Sequence, residues 1–168
     1  MDVKCINPFM AAIKNVFKTM LNLDIQFGKP QIKTQEAISH DVSGIIGLSG
    51  EVVGAVIVSF PKFSAIRIAS TFAGVSLSDT DDDFADAIGE LANMIAGNAK
   101  KDLDGLNIMI STPSVVIGSG HEVKNSKAVP RLIIPCSCVM GSFVVEVGMK
   151  KVCRPASEVV EKTTELTI

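Results

Sequence analysis

DTDDDFADAIGELANMIAGNAKKDLDG, residues 79–105, is the stretch around which the chain is organised. Phe84, Ile88, Leu91 and Ile95 are spaced four, three and four apart, so on a helix they stack as one apolar stripe. At about 100° per residue, Asp86, Glu90, Asn93, Gly97 and Lys100 fall on roughly the opposite side. That second face carries a carboxylate, a carboxamide three residues on, then a glycine, with Gly89, Ala92 and Ala96 beside them. A face that meets only water more often carries long Lys, Arg and Gln chains, which favour helix. Gly89 and Gly97 each cost about 1 kcal/mol relative to Ala in a helix interior. Close packing or a docking site must justify them. Thr80 or an early Asp caps the helix, and Asp81, Asp82 and Asp83 sit where negative charge suits the helix dipole. Successive helical side chains diverge by about 100°, so this acidic run reads as a helix start rather than a magnesium site.

Composition narrows the class. A chain of 168 residues, 47% of them hydrophobic, suits one domain with a sizeable core and excludes disorder as the main state. The formal net charge of −2 leaves no electrostatic footprint for nucleic acid or an anionic membrane. No signal-peptide pattern opens the sequence, and no apolar run reaches the ~20 residues that span a bilayer, so a cytoplasmic protein is expected. Cys5, Cys136, Cys138 and Cys153 make no disulfide or zinc pattern. Cys136 and Cys138 point to one face of a strand-like run and read as small buried hydrophobes. His40 and His121 sit near no Cys or carboxylate cluster with ligand spacing, so no metal site is expected.

Along the chain, Asn7 as N-cap and Pro8 at the first helical position open an amphipathic helix with Phe9, Ile13, Val16, Phe17 and Met20 as its stripe, ending near Leu23. Gly28-Lys29-Pro30 breaks the chain, and from Gln31 to Ile38 the period becomes two, a strand. Val42–Leu48 and Val52–Phe60 form a hairpin about Ser49-Gly50-Glu51. Both are near-continuous apolar runs, so the sheet should be covered on both faces over much of its area. Pro61 starts a second helix that ends before Gly74. Gly105 ends the third. Strand-like runs at 108–110 and 115–117 are split by a turn or bend at Pro113, and a second hairpin joins 129–139 to 142–149. Residues 52–60 resemble 139–147, which suggests two helix-plus-hairpin halves. The expected fold is α/β of the α+β kind: a mostly antiparallel sheet of about six strands with helices packed on it. Residues 1–153 form one domain, and 154–168 a C-terminal extension, a short helix or a tail.

The signature Asp86-x-x-x-Glu90-x-x-Asn93, followed by Pro113 after a short loop and strand, resembles the CheC/CheX/FliY family of chemotaxis phosphatases. The run Ala87–Gly97, the hairpin Gly44–Phe60 and Ser111–Val116 are most similar to its CheX branch, and the resemblance spans roughly residues 5 to 150. It implies hydrolysis of the phospho-aspartate of a CheY-type response regulator in chemotaxis or other two-component signalling. Glu90 would pair with the regulator's active-site lysine, and Asn93 would reach towards the acyl phosphate and orient the attacking water. Asp86, Gly89, Ala96, Gly97, Lys100 and Pro113 would bind the partner, with Gly89, Ala92, Ala96 and Gly97 giving clearance for its loops. The family carries no metal of its own; the regulator brings Mg2+. The residues suit these roles. A carboxylate makes charge-assisted contacts with lysine. A carboxamide holds water as donor and acceptor without ionising. An acyl phosphate is reactive enough for positioning to suffice.

Two departures matter. Ala12-Ile13-Lys14-Asn15-Val16 on the first helix has no Glu three residues before Asn15, so one site is expected rather than two. The extension from Arg154 passes the family's usual end. The resemblance also implies a homodimer paired through its sheets. The alternative function is a docking module that binds a regulator or signalling array without turnover.

Overall fold

The apolar stripes become helices laid on one sheet. The computed structural model describes residues 6–32, 40–103, 105–123, 129 and 131–152. In chain order the elements are α1 (Asn7–Leu21), β1 (Gln26–Phe27), β2 (Gln31–Ile32), β3 (Val42–Gly50), β4 (Val52–Phe60), α2 (Lys62–Ala73), α3 (Asp82–Lys101), β5 (Ile108–Ile110), β6 (Ser114–Ile117), β7 (Arg131–Cys138) and β8 (Gly141–Lys151). Asn7 is the first helical residue of α1 rather than its cap; Ile6 takes the cap position, and Pro8 still lies in the first turn, where its missing N–H costs nothing. The helix stops earlier than expected because Asn22 turns left-handed, at φ 53°. The strand expected over 31–38 is seen as β2 alone, since residues 33–39 lie outside the described set, as does the extension 154–168.

The sheet is antiparallel and has eight strands rather than about six. The strand that the sequence does not show is β1, two residues long and too short for a period of its own, whereas β2, β5 and β6 fall in runs that read as strand-like. The order is β1-β7-β8-β4-β3-β5, with β2 also on β7 and β6 also on β3. Read from the centre outwards it is symmetric. β4 pairs with β8; each is the second strand of a hairpin; each hairpin's first strand then takes the two short strands of the other half. The repeat in the sequence is therefore a repeat in space, with the short strands exchanged between halves.

All three helices pack on one face of the sheet, α1 beside α3. Beneath α1, Phe17 stacks on Phe143 with ring centroids 4.8 Å apart, and Phe143 on Phe60 at 5.1 Å. The opposite face is covered in its middle, where Val56–Phe60 are all buried, and open towards the β3–β4 turn, where Ser49 and Val53 are exposed. Its cover is the chain leaving β6. His121 Nε2 lies 2.7 Å from Ser43 Oγ, which is 2.7 Å from Ser59 Oγ, and Arg131 donates to the carbonyl of Val123 and, at 3.0 Å, to Glu146. Polar groups this deep persist because each has a partner.

The position of α3 is set by a missing side chain. A Cβ on Gly44 of β3 would stand 2.9 Å from Ala92 Cβ and 3.1 Å from the Ile88 carbonyl of α3. Only glycine on the strand and alanine on the helix let the two backbones come this close. Gly44→Val should therefore lower stability by about 1–3 kcal/mol through overpacking; an unchanged melting temperature would contradict this seat.

Candidate functional site

The polar side of α3 faces outwards. Asp86, Glu90 and Lys100 are exposed and Asn93 is half-buried. Three residues apart on a helix, Glu90 and Asn93 are surface neighbours, and the Asn93 amide Nδ2–H donates to Glu90 Oε2 at 3.3 Å. A carboxylate and a carboxamide thus stand together at the surface, with no other hydrogen bond to either side chain among the described residues. Asp86 lies one turn before Glu90, and Lys100 about 10 Å along the axis beyond Asn93, so α3 places these four in a line rather than a cluster.

The small residues do something else. Ala92 and Ala96 are fully buried and Gly89 is buried. A Cβ on Gly89 would stand 3.3 Å from the ring of Pro113 and 3.4 Å from Val115. Buried atoms offer a partner no surface, so the expectation that Gly89, Ala92 and Ala96 give clearance to a partner's loops is corrected. Their smallness seats α3 against β3 and against the β5–β6 edge beside it. Gly97 is half-buried, and a methyl there would sit in ordinary contact, 3.9 Å from Ile110 Cδ1. Pro113 itself is exposed on the flank of the helix. The surface that includes Glu90 and Asn93 therefore joins one helix face to the β5–β6 connection. Sequence reading gave Ser111 no role of its own, although its hydroxyl accepts from Gly47 N–H of β3 and donates to the Thr112 carbonyl.

The acidic start of α3 is a helix start held from behind. Asp81 takes the cap position, but its carboxylate turns back to accept from Ser78 N–H at 2.6 Å and Ser78 Oγ at 2.8 Å. These bonds keep the Asp81 carboxyl below its ordinary range, the backbone N–H contributing most. Lys62, on α2, lies 2.6 Å from Asp79 and lowers that carboxyl likewise. Asp82 and Asp83 lie in the first turn, Lys100 and Lys101 in the last, both matching the dipole. The helix ends at Lys101, before Gly105, where the Asp102 N–H turns back to the Ala99 and Lys100 carbonyls.

Other reactive side chains are sequestered. Ser43 and Ser59 are fully buried. The Gly118 carbonyl accepts from His121 Nδ1 at 2.7 Å, and His121 Nε2 lies 2.7 Å from the Ser43 hydroxyl, so both ring nitrogens are engaged within the chain. Burial pushes the Cys136 thiol up to about 12, far from a reactive thiolate. Cys138 is half-buried, and Cys5 and Cys153 lie outside the described residues. Among the described residues no group of three or more His, Cys, Asp or Glu could hold a metal ion, and no helix is long and apolar enough to cross a membrane.

A sequence model of the family described as "Chemotaxis phosphatase CheX" matches residues 42–137, which takes in β3, β4, all of α3 and the β5–β6 connection. The chain belongs to the CheX family. The "CheY-P phosphatase CheX" of Thermotoga maritima is 28% identical over 137 residues, covering 80% of this chain and 88% of that protein. Among solved structures, a chemotaxis protein CheX from Desulfovibrio desulfuricans is 33% identical with a TM-score of 0.81, covering 88% of this chain and 100% of that one. A CheX-CheY-BeF3-Mg2+ complex from Borrelia burgdorferi contributes a chain 29% identical, with a TM-score of 0.75, covering 89% and 100%. The mixed sheet-and-helix architecture is that of CheX structures.

Both Asp79 and Asp81 ionise more readily in the folded chain than in the unfolded one, so the unfolded chain binds more protons as pH falls. Their contribution to stability is complete above the ordinary Asp pKa of about 3.9 and is lost as pH drops through the folded values. Asp81→Asn should flatten the acid limb of stability against pH, measured by urea unfolding from about pH 5 downwards; an identical limb in the variant would contradict the Ser78 contacts.

Proposed function

We propose that this chain hydrolyses the phospho-aspartate of a CheY-type response regulator, with Asn93 and Glu90 as its working pair. The observation that carries the reading is the 3.3 Å contact between these two side chains on an open helix face. Membership of a family of chemotaxis phosphatases supports it, as do a relative named for CheY-P phosphatase activity and a relative solved with CheY.

Glu90, an exposed carboxylate, pairs with the regulator's active-site lysine and fixes the register of docking. Asn93, steadied by Glu90, reaches the acyl phosphate and holds a water in line with the scissile bond. Water oxygen attacks phosphorus; the bond from phosphorus to the aspartyl oxygen breaks; free carboxylate and inorganic phosphate leave. No side chain of this protein need form a covalent intermediate, because the acyl phosphate already has a good leaving group and positioning supplies the acceleration. Mg2+ arrives with the regulator. Asp86, one turn earlier on the same face, and Pro113 on the flank complete the docking surface. Pairing of two copies through their sheets belongs to the same proposal, and sedimentation velocity decides it.

The test uses phosphorylated CheY-type regulator and follows loss of phosphate. Asn93→Ala should cut the acceleration about a hundredfold or more while leaving docking largely intact, the scale expected when a preorganised polar group is removed. Glu90→Lys should instead weaken docking about tenfold or more by setting like charges together. Wild type that binds the regulator without speeding dephosphorylation would establish the docking-module reading instead.

A further inference from the structure

The connection between β5 and β6 holds a residue whose side chain replaces a main-chain group. Both strands pair with β3: Ile110 lies opposite Leu48, and Ser114 opposite Ile45. Two residues of β3, Ile46 and Gly47, therefore face three, Ser111, Thr112 and Pro113. That count defines a β-bulge, a device that bends a strand and re-aims its side chains. Gly47 and Ser111 sit where the ladder would exchange two hydrogen bonds. The Ser111 N–H does donate to the Gly47 carbonyl at 2.9 Å. The return bond is altered. Gly47 N–H goes to Ser111 Oγ, at 2.9 Å, and the Ser111 hydroxyl proton goes on to the Thr112 carbonyl at 2.7 Å. A hydroxyl has both an acceptor and a donor to give, so one side chain satisfies the strand and pins the first turn of the bulge.

The bulge delivers Pro113 against Gly89, whose missing side chain leaves 3.3 Å between an imagined Cβ and the proline ring. Gly89 leads directly into Glu90, and Asn93 follows one turn later. The chain of contact thus runs from Ser111 through Pro113 and Gly89 to the pair at the surface. We infer that Ser111 is a positioning residue: its hydroxyl sets the bulge that fixes the Glu90–Asn93 turn at the place where it meets the phosphorylated partner. The inference rests on the phosphatase reading proposed above and deepens it.

The experiment compares Ser111→Thr with Ser111→Val, two side chains of the same shape that differ in the hydroxyl, alongside Ser111→Ala. Steady-state dephosphorylation of the regulator gives kcat and KM for each. Ser111→Ala and Ser111→Val should lose about tenfold in kcat with KM little changed, the signature of a misplaced rather than missing group. Ser111→Thr should keep most of wild-type kcat. Equal losses in Thr and Val would overturn the inference, because crowding and not the hydroxyl would then be the cause. A raised KM with kcat intact would overturn it too. If wild type itself gives no acceleration, the phosphatase reading fails separately, and amide hydrogen exchange decides the positioning. Faster exchange at Gly47 and across Gly89–Asn93 in the Val variant than in the Thr variant supports it, and equal exchange overturns it.

Discussion

Contact between the backbone of α3 and two glycine positions is the constraint on which the site depends. At Gly44 the strand gives up its side chain so that Ala92 can lie against it, and at Gly89 the helix gives up its own so that Pro113 can. Gly89 weakens the helix by about 1 kcal/mol relative to alanine. The return is a helix held on two sides at van der Waals distance, unable to roll. Rigidity of this kind suits a site whose work is to hold one water in line, where a shift of about 1 Å can cost two orders of magnitude in rate. It also explains why α3 shows so little of itself. With β3 beneath and the β5–β6 edge alongside, the line of Asp86, Glu90, Asn93 and Lys100 lies on the side left open to another molecule.

The symmetry of the sheet makes the same point by contrast. α1 and α3 lie side by side over equivalent hairpins, and each half lends its short strands to the other. Two helices in comparable seats present different chemistry: Lys14, Asn15 and Lys18 on one, Asp86, Glu90 and Asn93 on the other. Lys18 is engaged with Asp24, 3.0 Å away, where the corresponding role on α3 falls to a carboxylate aimed at a carboxamide. The fold supplies a platform twice and the signature once. Function resides in the side chains set on the platform, as it does wherever one architecture is reused.

Burial separates reactive-looking groups from usable ones. Ser43 with His121, and Arg131 with Glu146, contain the ingredients of nucleophilic or acid-base chemistry, yet both Ser43 and Glu146 lie at the bottom of the covered sheet face. They tie the segment after β6 across the strands, with each polar group's burial offset by a partner. Glu90 and Asn93 are the reverse: ordinary side chains, one exposed and one half-buried, on the outer side of α3.

Much of this was legible in the sequence because it depends on local spacing. A stripe at four, three and four residues specifies which side of α3 turns inwards, and the two long hairpins announce themselves as β-branched runs about a turn. The pairing of Glu90 with Asn93 follows from helix geometry alone. Other features needed the fold. Glycine and alanine do not say whether the space beside them belongs to a partner or to the chain itself, so Gly89, Ala92 and Ala96 were read as an opening and proved to be a seat. β1, two residues long, is too short to carry a period. The bulge arises only because 45–48 meets 110–114, segments some sixty residues apart whose register is set by the strands around them. Periodicity determined the elements and the exposed pair. Tertiary contact alone decided what holds that pair still, since close approach is a property of two surfaces and a sequence records each one separately.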